Sequence, residues 1–205
     1  RLLTDAEIQR HYDAGRLRQL AFNGQMDGPA SGFADANSYW IAGWEENVPG
    51  GSTVHTFAQS QEWAAEGSNS VLLDVTAPGT GGPHWPNIRS LQFRAQPGHW
   101  YVAQAVVNVT RATTSGQIWL SFNWWDGTPT WLSNDDGPMG GAGTGVKALT
   151  VAARAPATAC IGRLSVPATA PDGERVAFHL DDVRLVNASQ DADAAAKTVA
   201  RMRLA

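Results

Sequence analysis

From Leu20 to Leu185 the apolar residues recur at every second position, in short runs separated by Gly, Pro, Asn and Asp. That period places alternate side chains on opposite faces of extended chain, and it leaves no room for a βαβ rhythm or a helical bundle. The spacing predicts strands at Phe22–Met26, Ser38–Ala42, Val54–Ala58, Ser70–Thr76, Ile88–Ala95, Trp100–Val109, Gln117–Trp125, Gly145–Ala153, Thr158–Val166 and Arg175–Leu185. Roughly ten strands at this spacing give an all-β fold, a two-sheet antiparallel β-sandwich. In Trp100–Val109, Tyr101, Ala103, Ala105, Val107 and Val109 form a core face. Val102, Gln104, Val106 and Asn108 form the other, half polar and expected to be wet. Asn134-Asp135-Asp136-Gly137 reads as a turn.

The two ends differ from this pattern. Thr4-Asp5-Ala6-Glu7 is a capping box, Leu3 and Ile8 stand as a hydrophobic staple, and Gly15 offers a left-handed stop, so a short helix is expected at about 5–14. Residues 189–205 read as a helical tail or linker, with acidic residues early and Arg201 and Arg203 late. The domain reading is therefore 1–19 as a terminal helix and linker, 20–188 as the sandwich, and 189–205 as the tail.

Charge bounds the partners. Charged residues make up 17% of the chain and the net charge is −4. Neither supplies the clustered Lys and Arg that nucleic acid needs. No apolar run is long enough to span a bilayer, so no membrane insertion is expected. Cys160 is the only cysteine; its apolar surroundings predict a small core residue. The chain does not begin with Met and shows no signal peptide, as expected of a piece of a longer protein.

Nine of the 205 residues are Trp. A buried indole must find a partner for its N–H, so a small core uses few of them. The surplus points to a flat apolar surface on which another molecule stacks, and sugar rings suit such a surface. Along Ile118–Trp125, Ile118, Leu120, Phe122 and Trp124 read as core, while Trp119, Ser121, Asn123 and Trp125 mix indoles with hydrogen-bonding groups. The candidate ligand-binding residues are Trp119, Asn123 and Trp125, with Gln104 and Asn108 from the wet face of the long strand and Trp85 and Trp131 as a rim.

Catalytic signals are lacking. Glu45-Glu46, Asp135-Asp136 and Asp181-Asp182 are carboxylate pairs, but strand neighbours point to opposite faces. The five His show no metal-ligand spacing, and neither a nucleophile elbow nor a phosphate loop occurs. The chain reads as a non-enzyme.

Several motifs together carry a resemblance. Asn23-Gly24-Gln25-Met26-Asp27, Pro97-Gly98-His99-Trp100-Tyr101, Ala155-Pro156-Ala157 and Phe178-His179-Leu180-Asp181-Asp182-Val183 stand in an order that resembles the jelly-roll (galactose-binding-like) carbohydrate-binding modules of xylanases and glucanases. Leu3–Gly15 resembles the C-terminal helix of laminin-G-like (concanavalin-A-like) domains. That combination of modules is similar to minor tail proteins of phages of actinobacteria. The resemblance implies a structural Ca²⁺ held by Asp27 with Asp181 or Asp182, although Asp27 stands where the family has the longer Glu. It further implies a non-catalytic module that contacts cell-envelope glycans from the virion tail, beside other tail proteins and with a homo-oligomer as one possibility. Two alternatives stay open: a tail assembly module that binds no sugar, and an ancillary module of a secreted polysaccharide hydrolase.

Overall fold

The computed structural model describes residues 40–41 and 44–190 except 142, with backbone alone at 40–41. The expected strand Phe22–Met26, both terminal helices, the linker segments and Asp27 lie outside the described residues.

The strands are β1 (Trp40–Ile41), β2 (Trp44–Asn47), β3 (Thr53–Ser60), β4 (Ser70–Thr76), β5 (Asn87–Ser90), β6 (Phe93–Arg94), β7 (Trp100–Arg111), β8 (Ser121–Trp125), β9 (Trp131–Asp136), β10 (Gly145–Arg154), β11 (Ile161–Pro167) and β12 (Arg175–Asn187). They form two antiparallel sheets. One runs β1-β2-β5-β11-β8-β9 with β6 also paired to β11; the other runs β10-β7-β12-β4-β3. The described residues form an all-β sandwich.

The alternation in the sequence is what closes the two sheets on each other. Tyr101, Ala103, Ala105, Val107 and Val109 of β7 enter the core, as do Ile118, Leu120, Phe122 and Trp124 at β8. Phe93, Tyr101, Phe122 and Trp124 make the aromatic centre, with Phe122 and Trp124 stacked at 5.2 Å. The Trp124 N–H donates to Asp135 Oδ2 at 2.7 Å, which meets the need of a buried indole. Gly162 is fixed by this packing: a Cβ there would lie 2.3 Å from the Phe93 ring.

Four sequence expectations need correction. Asn134–Asp136 is the end of strand β9 rather than a turn, because it pairs with Ser121–Asn123. Ile88–Ala95 is two strands, β5 and β6, broken after Ser90, whose Oγ donates to the adjacent Leu91 O and accepts from the Leu164 N–H of β11. The stretch Gln117–Leu120 makes only isolated bridges, at Ile118, before β8 begins. Cys160 is exposed, because β11 starts one residue later and leaves it in the preceding loop.

Candidate functional site

Pleating divides the outward side chains of the seven-stranded sheet into rows. One row reads Glu45, Arg89, Ser165, Ser121 and Asp136 across β2, β5, β11, β8 and β9. The next reads Arg163, Asn123 and Asn134. A third brings Ile161, Trp125 and Trp131 together. At the other end stand Asn47, Asn87 and Pro167.

The middle of the first row is two serines, and larger residues flank them. Small side chains at the centre and long ones at the sides make a trough, which runs along β8 and β11. The cleft holds about 770 Å³, with Trp85, Arg89, Trp119, Asn123, Trp125 and Arg163 among its lining. Six residues of β11 separate the Pro167 row from the Trp125 row, so Trp85 and Trp125 bound a trough about 20 Å long.

Hydrogen bonds fix its polar groups. Asn123 Nδ2 donates to Ser165 Oγ at 2.7 Å. Arg89 and Arg163 both donate to Glu45 Oε1, which is 1% exposed beneath them. The Arg163 guanidinium lies 6.0 Å from the Trp125 ring centroid. The β8–β9 turn that presents Trp131 is built by Asp126, whose Oδ1 accepts from the Thr128 and Thr130 N–H groups. These bonds hold the Asp126 carboxyl below its ordinary range, the Thr130 N–H foremost.

The indoles sort into classes. Trp44 and Trp124 are core; Trp63 and Trp125 are half-buried; Trp85, Trp100 and Trp131 are 53%, 51% and 56% exposed. Trp119 departs from the sequence expectation. It is 6% exposed, and its N–H donates to Asp136 Oδ1 at 3.0 Å. It is a wall of the trough and offers no open ring face.

Gln104 and Asn108 are not brought to this site. They lie on the outer face of the other sheet, because β7 belongs to that sheet. Nor is that face wet at Gln104, which is 6% exposed. Residues 61–69 lie against the same face: the Ala65 and Glu66 N–H groups donate to Asp181 Oδ2, Ser70 Oγ donates to Trp63 O, and the Trp63 ring is 6.0 Å from His179. Sequence reasoning also missed Arg89, Arg163 and Glu45. The available signal is an Arg at an alternate position of a predicted strand, Arg89 in Ile88–Ala95 and Arg163 in Thr158–Val166.

The metal candidates divide. Asp181 is fully buried, and its Oδ1 has no partner among the described residues. Burial pushes its carboxyl above the ordinary range. Such an orphan oxygen suits a cation. Asp182 sits in a β-bulge at φ +43°, where its Oδ1 accepts from Arg184 Nε at 2.8 Å. Among the described residues no three His, Cys, Asp or Glu come together, whereas Ca²⁺ takes six to eight oxygens. Of the two, Asp182 is already paired with Arg184, while Asp181 keeps one oxygen without a side-chain partner.

Of the two carboxylates in the first row, Asp136 lines the cleft and Glu45 is buried beneath the arginines, a pairing badly placed for glycoside hydrolysis. Glu45 and Asp136 stand four strands apart in their row, roughly 19 Å at ordinary strand spacing. Hydrolysis needs two carboxyls about 5–9.5 Å apart.

No protein-family model matches the sequence, and no curated protein does. Solved structures match in shape. The enzymatically active domain of tailspike protein 4 from bacteriophage CBA120 superposes with a TM-score of 0.55 at 14% identity, over 82% of this chain and 21% of that one. These are likenesses of fold. A xylan-binding domain from CBM 22 gives 0.52 at 18% identity, over 83% of this chain and 96% of that domain. A carbohydrate-binding module of the β-sandwich superfamily, described as promiscuous in specificity, gives 0.53 at 12%, over 70% and 57%. This chain thus spans about a fifth of the tailspike and a little over half of that last module.

Proposed function

We propose that the domain binds a linear carbohydrate, without catalysis, in the trough along β8 and β11. One observation carries this: a floor of Ser and Asn side chains lies between indoles at both ends, Trp85 at one and Trp125 at the other, with the exposed Trp131 paired beside Trp125. Ring faces stack on the indoles while hydroxyls meet Asn123 and the Arg89 guanidinium above the buried Ser121 and Ser165. The fold shared with a xylan-binding domain and a promiscuous carbohydrate-binding module supports the reading. The wide separation of Glu45 and Asp136 supports its non-catalytic part.

The finer reading places the module in a phage minor tail protein that meets host-envelope glycans. It is supported by the resemblance of residues 3–15 to a laminin-G-like helix and by the fold of the tailspike domain. Display in several copies would raise the avidity of a weak single site. A structural Ca²⁺ at Asp181 is part of the proposal and rests on that residue's orphan oxygen. The assembly reading has one observation of its own: Trp100 and Val146 are exposed on the second sheet, away from the cleft. A stable oligomer that covers them would favour it.

The test is calorimetric titration against soluble polysaccharides, with xylan, β-glucan and arabinogalactan fragments in the panel. Binding to at least one, lost in Trp125→Ala, is the expected result. A folded protein that binds none of them rejects the proposal.

A further inference from the structure

Trp85 stands on a loop that ought to be loose. Residues 77–86 join β4 to β5 and contain Gly79, Gly81 and Gly82, with Gly81 at φ +92°. Glycine-rich chain loses much conformational entropy when held in one shape. An exposed indole that must be fixed on binding adds an ordering cost. A stacking rim therefore works best when something else has already fixed it.

The fixing comes from residues 168–174, the stretch ahead of β12. His84 and Ala170 exchange two backbone hydrogen bonds of 2.9 Å. The Ala168 N–H donates to Pro86 O and the Gly173 N–H to Pro78 O. At the centre is one carboxylate oxygen: Asp172 Oδ1 accepts from the Gly82 N–H at 2.7 Å and lies 3.0 Å from His84 Nε2. The fit is close, since a Cβ on Gly82 would lie 2.5 Å from that oxygen and 3.1 Å from the His84 ring. Asn87 Nδ2 then holds Trp85 O at 3.0 Å. Asp172 and His84 are not among the residues that line the cleft, whereas Pro83 and Trp85 are. An exposed carboxylate outside the trough thus reaches the rim through the two residues nearest its tip.

We propose that Asp172 is a positioning residue for the carbohydrate site, clamping Gly82 and His84 so that the Trp85 ring is presented before the ligand arrives. The proposal rests on the carbohydrate-binding reading above. No contact between Asp172 and the ligand is part of it.

The test is a double-mutant cycle, titrated with whichever polysaccharide of the panel the wild-type domain binds. Asp172→Ala weakens binding several-fold. Asp172→Asn, which keeps an acceptor oxygen for the Gly82 N–H and the His84 ring, binds within about twofold of wild type. In a Trp85→Ala background, Asp172→Ala adds nothing further. Amide exchange across residues 79–86 quickens in Asp172→Ala, read without any ligand. The proposal is overturned if Asp172→Ala binds like wild type while Trp85→Ala is impaired, or if the two losses add. It is equally overturned if binding and melting temperature fall together and Asn fails to rescue. A wild-type domain that binds no polysaccharide removes the carbohydrate reading and this proposal with it; a silent Asp172→Ala in a binding domain removes this proposal alone.

Discussion

The two outer faces of the sandwich have opposite fates. On the seven-stranded sheet the outward residues face an open trough, and their polar groups are tied to one another across strands. On the five-stranded sheet residues 61–69 lie against the outward residues of β12, so His179 and Asp181 are 2% and 0% exposed. Both outer faces mix polar with apolar side chains. What separates them is whether a loop lies on top, and that depends on contacts between residues more than a hundred positions apart in sequence, such as Ala65 with Asp181. The lesson is that alternation distinguishes inside from outside, while exposure on the outside is a tertiary property.

The largest expected effect lies on the open face. Trp125→Ala removes a half-buried ring beside Arg163 and should cost about 2 kcal/mol of binding, roughly 30-fold in affinity. Its melting temperature should change little, since the ring is no part of the core cluster. Calorimetry with a bound polysaccharide and a thermal melt read the two quantities. A large fall in melting temperature with unchanged affinity would make Trp125 a structural residue.

On the covered face the expected effects are on stability. Asp181→Asn keeps an acceptor for the Ala65 and Glu66 N–H groups and removes a buried charge. In EDTA the variant should melt at or above the wild type, because burial disfavours the ionised carboxylate, a cost that sets in as pH rises above the ordinary carboxylate range. Added calcium should raise the melting temperature of the wild type and leave that of the variant unchanged. A wild type indifferent to calcium removes the metal proposal.

His179 supplies a smaller, pH-dependent term. Burial holds its imidazole below the ordinary value near 6.5, so the folded state prefers it neutral. The unfolded chain takes up the proton first as pH falls. Stability from this residue is therefore present above about 6.5 and declines below it. His179→Asn, which can still meet the Ser70 hydroxyl now 2.9 Å away, should flatten the fall in denaturant midpoint between neutral and mildly acid pH. Equal slopes in both proteins would dismiss the histidine.

The smallest effect is expected at Asn108, on the far sheet. Asn108→Ala should change polysaccharide affinity by less than about twofold, as surface changes remote from a site do. A larger loss would mean that the second sheet takes part in binding.

How much of this was legible beforehand follows from the same contrast. The core faces of β7 and β8 were readable because period-two apolar residues have one place to go. The Gly- and Pro-rich surroundings of Trp85 and Trp131 mark them as a rim, and the structure leaves both exposed. Trp119 was misjudged because its acceptor, Asp136, belongs to a strand that the sequence presents as a turn. Gln104 and Asn108 were misplaced because period two does not reveal which sheet a strand joins. The serine floor needs two strands aligned in register, and no single strand contains that information.

The most direct test of the open-face account is amide hydrogen exchange with and without a bound polysaccharide. The account predicts slowed exchange in 83–89, 121–125, 131–136 and 161–167, with 61–69 unchanged. Protection confined to 61–69 and 179–184 would place the ligand on the covered face and contradict it.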